Sequence, residues 1–328
     1  MGRESLYISL GHELNVNMFE ILLSKLLKNL KTMPPSINSI IFDMSELRYI
    51  KLGGLISFLS LCGAIKEKSL LKDAENIRIY LEYPPDKVME HLHWMQFFKI
   101  SNIYSYIENI ESLSIKDEEY FERWNNKLRR YGYENDPVQK KTSISKLFPI
   151  HIIPADSKYS DFETSCTKFI NDLNDVLIPI FENNMISINY MSDFLQSNKE
   201  LFKNIFDHSN SWGIHAVQIM KKNVVFSYSD IGIGIKNSLK TVLLTKYEEK
   251  EINDYLAIKE ALKKGVSSKA ENNENMGLGL YIVSEFAKKT KGKMVIRSGE
   301  CLYKINSEFK HVSHFPGTQI HIAIPITG

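Results

Sequence analysis

The sequence predicts an α/β protein built from two domains, and three observations support this prediction. The chain has 328 residues, which exceeds the usual size of one domain and suits two. Strand-like apolar segments alternate with segments of helical periodicity in the first third of the chain. Pairs of glycines follow an apolar strand and open an apolar helix in the second half. We predict domains at residues 1–112 and 151–328, joined by a charged helical linker at 113–150.

The composition limits the kinds of protein that this chain can be. Hydrophobic residues make up 43% of the chain and charged residues 24%, as in globular proteins. The net charge of +2 gives no overall field that favours nucleic acid, so we do not expect nucleic-acid binding. Without a run of about 18 apolar residues, we expect no membrane span. Cys62, Cys166 and Cys301 are too far apart for a disulfide framework, which favours a cytoplasmic protein.

Each element of the first domain follows from its residue pattern. Short apolar runs predict strands, and longer segments with apolar residues on one side predict helices. In chain order these are a strand at 6–10, a helix at 17–30, a strand at 39–44, a helix at 53–66, a strand at 77–81 and a helix at 86–97. This alternation predicts helices packed around a small sheet.

The segment IIFDMSELRYIKLGGLISFLSL, which begins at Ile40, resembles the core of a STAS domain. In that family an apolar strand ends in Asp-x-Ser, and a Gly-Leu pair then opens a helix, as Gly54 does here. STAS antagonists carry a phosphorylatable serine just before the glycine, whereas this chain has Lys51 and Leu52. The resemblance therefore implies a docking or dimerisation module, through which a protein partner would bind, and disfavours a phosphorylation-switched antagonist.

The first candidate functional residues of the second domain lie on a predicted helix around the segment KELFKNIFDHS. Glu200, Asn204, Asp207 and His208 lie at positions i, i+4, i+7 and i+8, which is one face of a helix, and Phe202 lies on the opposite side. Segregation of this kind is also typical of an ordinary surface helix. The residues that follow favour a functional face.

An apolar strand runs from Asn223 directly into Asp230, Gly232 and Gly234. Glycines two residues apart after a strand allow a backbone turn and the close approach of a ligand. A carboxylate at the strand end can accept a hydrogen bond from an exocyclic amine. Because guanine presents a carbonyl group at the equivalent position, such a carboxylate would select adenine.

Two further glycine motifs complete the pattern. Gly277, Leu278 and Gly279 open an apolar helix, and bare amides at a helix N-terminus bind phosphate oxygens. The chain has no Walker motif, so this cradle would lack a Walker lysine. Gly317 and Thr318 open an alternating apolar strand that ends at Pro325. Each pair alone is weak evidence, but the four motifs in this order are a strong combination.

This order resembles the GHKL superfamily of gyrase, histidine kinases, MutL and anti-sigma-factor kinases. The resemblance implies a two-layer α/β sandwich with a mixed sheet that binds ATP and Mg²⁺. It also implies a role for each matching residue: Glu200 as general base, Asn204 as magnesium ligand, Asp230 with Thr318 at adenine, Gly277, Leu278 and Gly279 at the phosphates, and Asp207, Gly232 and Gly234 as further nucleotide-binding positions.

The segment between Ile235 and Gly277 occupies the position of the ATP lid in that superfamily. Within it, Ser267, Ser268 and Lys269 resemble a hydroxyl-hydroxyl-lysine triplet that many relatives place close to the γ-phosphate. Lys269 would then be a second catalytic residue, although a plain polar loop explains the same residues almost equally well.

The sequence leaves the activity open between an enzyme and a binding module. We found no phosphoacceptor-histidine pattern between residues 150 and 200, and the sequence ends directly after the last predicted strand, without a second domain to supply a catalytic lysine. We therefore expect ATP-driven switching with slow hydrolysis. The alternatives are a serine/threonine kinase of the anti-sigma type and a non-hydrolysing, nucleotide-gated adaptor. A partner would bind through the STAS-like domain or the lid, and residues 146–196 would suit a homodimer hairpin equally as well as the first helices of the ATP domain.

Overall fold

The computed structural model describes residues 4–32, 37–67, 70, 77–95, 97, 106–110, 113, 146–153, 171, 175, 178, 188–208, 212–220, 222–266 and 279–325. The protein is α/β and contains both parallel and antiparallel strand pairs. Its contacts divide it into two compact units, Met1–His151 with Ala216–Lys221 and Ile152–His215 with Lys222–Gly328. We call these the N-terminal and the C-terminal unit.

The N-terminal unit alternates strands and helices as the sequence predicts. Its main sheet has three parallel strands in the order β1-β3-β5, and a small parallel pair joins β2 to β4. The elements are β1 (Glu4–Ser9), β2 (Glu13–Leu14), α1 (Val16–Thr32), β3 (Ile37–Asp43), β4 (Tyr49–Ile50), α2 (Leu52–Lys66), β5 (Arg78–Glu82) and α3 (Asp86–Trp94). All six predicted elements are confirmed, with α3 ending at Trp94 before the predicted limit at residue 97.

Helix α2 is the centre of this unit, because every residue from Leu52 to Ile65 is buried. Phe58 on α2 packs edge-on against Phe42 of β3, with ring centroids 4.9 Å apart. Gly54 brings the helix close to β2, since a methyl group on its Cα would lie 2.4 Å from the carbonyl oxygen of Leu14. Glycine at position 54 is therefore required for helix–strand packing.

The outer edge of β5 is covered by a short segment at residues 106–110. The Glu108 amide donates to the Ile79 carbonyl oxygen at 2.8 Å. The Asn109 side chain accepts from the Leu81 amide at 3.1 Å and donates to the Leu81 carbonyl at 2.7 Å. The side-chain amide of Asn109 thus takes the place of a peptide group from a neighbouring strand.

The later elements of the chain include a five-stranded sheet with the order β6-β7-β8-β10-β9. Strand β10 pairs antiparallel with both β8 and β9. The elements are β6 (Lys146–Ile153), α4 (Ile188–His208), β7 (Gly213–Ile219), β8 (Asn223–Asp230), α5 (Gly234–Ser238), α6 (Lys240–Leu244), a 3-10 turn (Glu249–Glu251), α7 (Asp254–Ala261), α8 (Gly279–Lys289), β9 (Lys293–Lys304) and β10 (Phe309–Pro325). Strand β6 spans the predicted domain boundary at residue 150.

Helices α4 and α8 pack against each other in opposite directions. Lys289 at the end of α8 pairs with Asp193 near the start of α4, at 2.7 Å, whereas Gly279 at the start of α8 lies beside Asn204. On its other side α4 contacts the sheet through Phe202, whose ring lies 5.8 Å from that of Tyr228 on β8. This arrangement fixes the face of α4 that carries Glu200 and Asn204. Across the described residues we find no helix long and apolar enough to span a membrane.

Candidate functional site

Asp230 ends strand β8 and is the central polar group of the candidate site. Only 6% of the residue is exposed. Its Oδ1 accepts a hydrogen bond from the Gly232 amide at 2.9 Å, and the backbone amide of Thr318 donates to the same carboxyl group. The predicted positions Asp230, Gly232 and Thr318 therefore lie together around one buried carboxyl.

Burial gives this carboxyl an unusual charge state. It raises the pKa of Asp230 to about 7, although the amides of Gly232 and Thr318 act in the opposite direction by stabilising the ionised form. Near neutral pH the group is thus poised between its neutral and ionised forms. A carboxyl with a pKa shifted in this direction by burial is a candidate functional group.

Two glycines allow the backbone to pack closely against Asp230 and Ser298. Gly317 has φ +78°, and a methyl group there would lie 2.2 Å from the carbonyl oxygen of Asp230. Gly234 has φ +73°, and a methyl group there would lie 3.0 Å from the Ser298 hydroxyl. Both positions favour glycine for two reasons, backbone conformation and close approach.

Ser298 on β9 also belongs to this cluster, and the sequence analysis did not identify it. Its hydroxyl accepts a hydrogen bond from the Ile235 amide at 2.9 Å and donates to the Gly317 carbonyl at 3.2 Å. Ser298 lies opposite Thr318 in the β9–β10 pair, but two register shifts lie between His311 and Thr318. In the sequence, Ser298 is visible only as a small polar residue in an apolar strand. Its position opposite Thr318 depends on the two register shifts, which the sequence pattern does not reveal.

Glu200, Asn204 and Gly279 form a second group of predicted residues. A methyl group on Gly279 would lie 3.2 Å from Asn204 Nδ2 and 3.4 Å from Glu200 Oε2. The bare first residue of α8 therefore faces the polar side chains of α4. Both of these side chains are partly exposed, so a ligand from solvent could reach them.

The donor atoms of this second group suit a magnesium ion. Amide and carboxylate oxygens are the protein ligands that Mg²⁺ accepts, and it usually completes its shell with waters and substrate phosphates. In the described ranges no group of three or more His, Cys, Asp or Glu side chains could hold a metal by itself. The oxygen atoms of Glu200 and Asn204 are of the kind that Mg²⁺ accepts, so these two side chains fit such an ion.

The two groups are connected through the packing of α4 on the sheet. Phe202 lies between Glu200 and Asn204 in sequence and packs on Tyr228, two residues before Asp230. The His215 ring on β7 lies 4.5 Å from Phe202 and 4.3 Å from Tyr228, which completes this anchor.

Four predicted residues have no side-chain description. Asp207 belongs to the last turn of α4, which ends at His208. Lys269, Gly277 and Leu278 lie outside the described residues, as do Ser267 and Ser268. Their predicted roles stay predictions.

A scan against protein-family models found no match to this chain, and a search of curated proteins found none that matches it.

Proposed function

We propose that the C-terminal unit binds Mg-ATP as a GHKL-type domain and uses binding, with weak hydrolysis, to switch an interaction with a protein partner. One observation carries this proposal. Bare Gly279 faces Glu200 and Asn204, while the strand that supports their helix ends in the buried carboxyl of Asp230. This combination supplies a polar group that can bind the nucleobase. It also supplies a helix N-terminus without side chains, where the phosphates can bind.

The nucleobase of ATP would be recognised at Asp230. An ionised carboxyl can accept a hydrogen bond from the amino group of adenine, whereas the carbonyl of guanine would face it with like charge. Gly317 lets the backbone of β10 pack against this carboxyl, since a methyl group there would lie 2.6 Å from Asp230 Oδ1. The backbone hydrogen bonds from Gly232 and Thr318 hold the carboxyl in place before a ligand arrives.

The phosphates would lie at the start of α8. Its first amides have no partner within the helix and carry partial positive charge, which favours an anion. Asn204 would hold the magnesium ion, which when bound neutralises phosphate charge. Glu200 is the group that could take a proton from an attacking water or hydroxyl.

Binding and turnover of Mg-ATP by four proteins test this proposal. We expect wild type to bind ATP and release phosphate slowly. Asn204→Ala should bind at least about tenfold more weakly, since it loses an ion ligand. Glu200→Gln should keep binding and lose turnover. Asp193→Asn is the control, because it removes a carboxylate from the same helix but only breaks a surface pair worth at most about 1 kcal/mol.

The outcomes separate the activities. Binding without phosphate release, with Glu200→Gln indistinguishable from wild type, would indicate an adaptor. Phosphate transfer from ATP to a serine or threonine of an added protein would indicate a kinase of the anti-sigma type. If calorimetry detects no Mg-ATP binding by wild type, the proposal is wrong.

A further inference from the structure

A continuous chain of hydrogen bonds runs from α5 to the Asp230 carboxyl. The Ile235 amide donates to Ser298 Oγ at 2.9 Å, and the Ser298 hydroxyl donates to the Gly317 carbonyl at 3.2 Å. The peptide that contains this carbonyl also contains the Thr318 amide, which donates to Asp230. One peptide group is therefore held at both ends, by Ser298 and by Asp230.

The planarity of the peptide makes these two bonds dependent on each other. The Gly317 carbonyl and the Thr318 amide rotate as one rigid group, so a bond that fixes one end also aims the other. Glycine at φ +78° leaves this group more freedom than any other residue would. Ser298 is only 1% exposed, so water has little access to replace its hydroxyl.

We infer that Ser298 is a positioning residue for Asp230, whose carboxyl it orients through the Gly317–Thr318 peptide. Its importance for nucleotide binding rests on the proposed function, whereas its link to Asp230 holds in the free protein. Each bond in such a chain polarises the next, so loss of the serine hydroxyl weakens the final bond to the carboxyl.

Among the described residues, the charged side chains of the surrounding elements do not provide this link. Burial and the amides of Gly232 and Thr318 account for the perturbed pKa of Asp230. The neighbouring charged or titratable side chains each have a partner of their own: Lys236 with Asp254 at 3.8 Å, Arg297 with the Gly299 carbonyl at 3.2 Å, and His321 with Ser227 at 3.1 Å.

Ser229→Ala is the matched control for Ser298→Ala. Ser229 precedes Asp230 in the same strand and is also fully buried, and its hydroxyl has no hydrogen-bond partner among the described residues. Both variants remove one buried hydroxyl next to the site. Only Ser298→Ala breaks the chain that ends at Asp230.

The direct test is an NMR titration of the Asp230 carboxyl carbon in the free protein, assigned by its loss in Asp230→Asn. A weakened Thr318 bond favours the neutral carboxyl, so in Ser298→Ala the pKa of Asp230 should rise by about one. In Ser229→Ala and in the conservative variant Ser298→Thr it should stay at the wild-type value. An unchanged pKa in folded Ser298→Ala, or the same rise in Ser229→Ala, overturns the inference.

ATP binding by the same proteins then tests the consequence. Ser298→Ala should bind about fivefold more weakly than wild type at pH 7, and the loss should shrink at higher pH as Asp230 ionises. If wild type does not bind ATP, the proposed function fails and the titration alone decides the role of Ser298. A loss of affinity that is the same at every pH, together with an unchanged titration, would show a purely structural serine.

Discussion

Gly317 lies where the backbone of β10 passes closest to Asp230. Its conformation and its surroundings are separate constraints, since φ is +78° and a methyl group would also meet backbone atoms of Asp230 at 2.2 Å. A flexible side chain could yield to such a contact, but a backbone carbonyl at the end of a paired strand cannot. Both the candidate site and the stability of the sheet therefore require glycine at this position.

We therefore predict a larger effect for Gly317→Ala than for Gly265→Ala. Gly265 has φ +83°, but no described residue lies within 4 Å of an added methyl group, so its substitution measures backbone strain alone. That strain should lower the free energy of unfolding by about 1–2 kcal/mol. Gly317→Ala should lower it by about 1–3 kcal/mol more, the usual cost of overpacking, and should also abolish ATP binding.

Urea unfolding of both variants and of wild type checks this prediction. Equal losses of stability in the two variants would mean that β10 shifts to accommodate the methyl group. In that case Gly317 would not hold Asp230 in place.

At the scale of elements, residue patterns were sufficient for long segments and insufficient for short or irregular ones. The strands and helices of the N-terminal unit follow from apolar periodicity, and all six predicted elements are confirmed. Strands β2 and β4 have two residues each, too few to show a period. Strand β10 begins at Phe309, eight residues before the predicted start at Gly317, because two register shifts interrupt its pattern.

The same limit applies to the candidate site. Glycine spacing and the helix face at Glu200 and Asn204 predicted a single site. The structure places Gly232 and Thr318 at Asp230 and Gly279 beside Glu200 and Asn204, as two local groups. Ser298 joined the first cluster only through pairing between β9 and β10. Sequence patterns indicate which residue lies on which face, whereas strand register decides which faces meet.

Helix α2 offers a prediction at the scale of an element. Gly54→Ala should force α2 away from β2, because the methyl group would lie 2.4 Å from the Leu14 carbonyl oxygen. We expect the free energy of unfolding of the N-terminal unit to fall by about 1–3 kcal/mol. Hydrogen exchange of the β1 and β3 amides would measure this loss without interference from the C-terminal unit.

Ser60→Ala is the control in the same helix. Ser60 is fully buried and its hydroxyl has no hydrogen-bond partner among the described residues, so its removal should cost less than about 0.5 kcal/mol or stabilise the unit. If Ser60→Ala lowered the free energy of unfolding as much as Gly54→Ala, α2 would be sensitive to any substitution. The loss at Gly54→Ala could then not be attributed to the close approach to β2.

For the molecule as a whole, two buried titratable groups give opposite dependences of stability on pH. The pKa of Asp230 rises on folding from 3.8 to about 7, so the folded state binds the extra proton and stability falls as pH rises through this window. Burial lowers the pKa of His321 from 6.5 to about 4, so the unfolded state binds the extra proton and stability falls as pH falls. Between about pH 4 and 6.5 the two effects oppose each other.

We predict that a substitution at either residue reveals the pH dependence of stability that the other residue causes. Asp230→Asn should leave the His321 effect, so the stability of the C-terminal unit should rise with pH between about 4 and 6.5. His321→Gln should leave the Asp230 effect, so stability should fall with rising pH up to about 7. Each slope can reach about 1.4 kcal/mol per pH unit. Hydrogen exchange of β8 and β10 amides across this range measures both, and parallel profiles in the two variants would contradict the prediction.

The Asn109 side chain at the edge of β5 has a consequence for how the protein would fail. By occupying the Leu81 amide and carbonyl, it closes an edge that would otherwise accept a strand from another molecule. A hydrophobic substitution of Asn109 would leave every candidate site residue unchanged and yet offer newly synthesised chains a template for aggregation. A cell carrying such a variant would lose the protein from solution, and that loss would look like loss of activity although the chemistry of the site was intact.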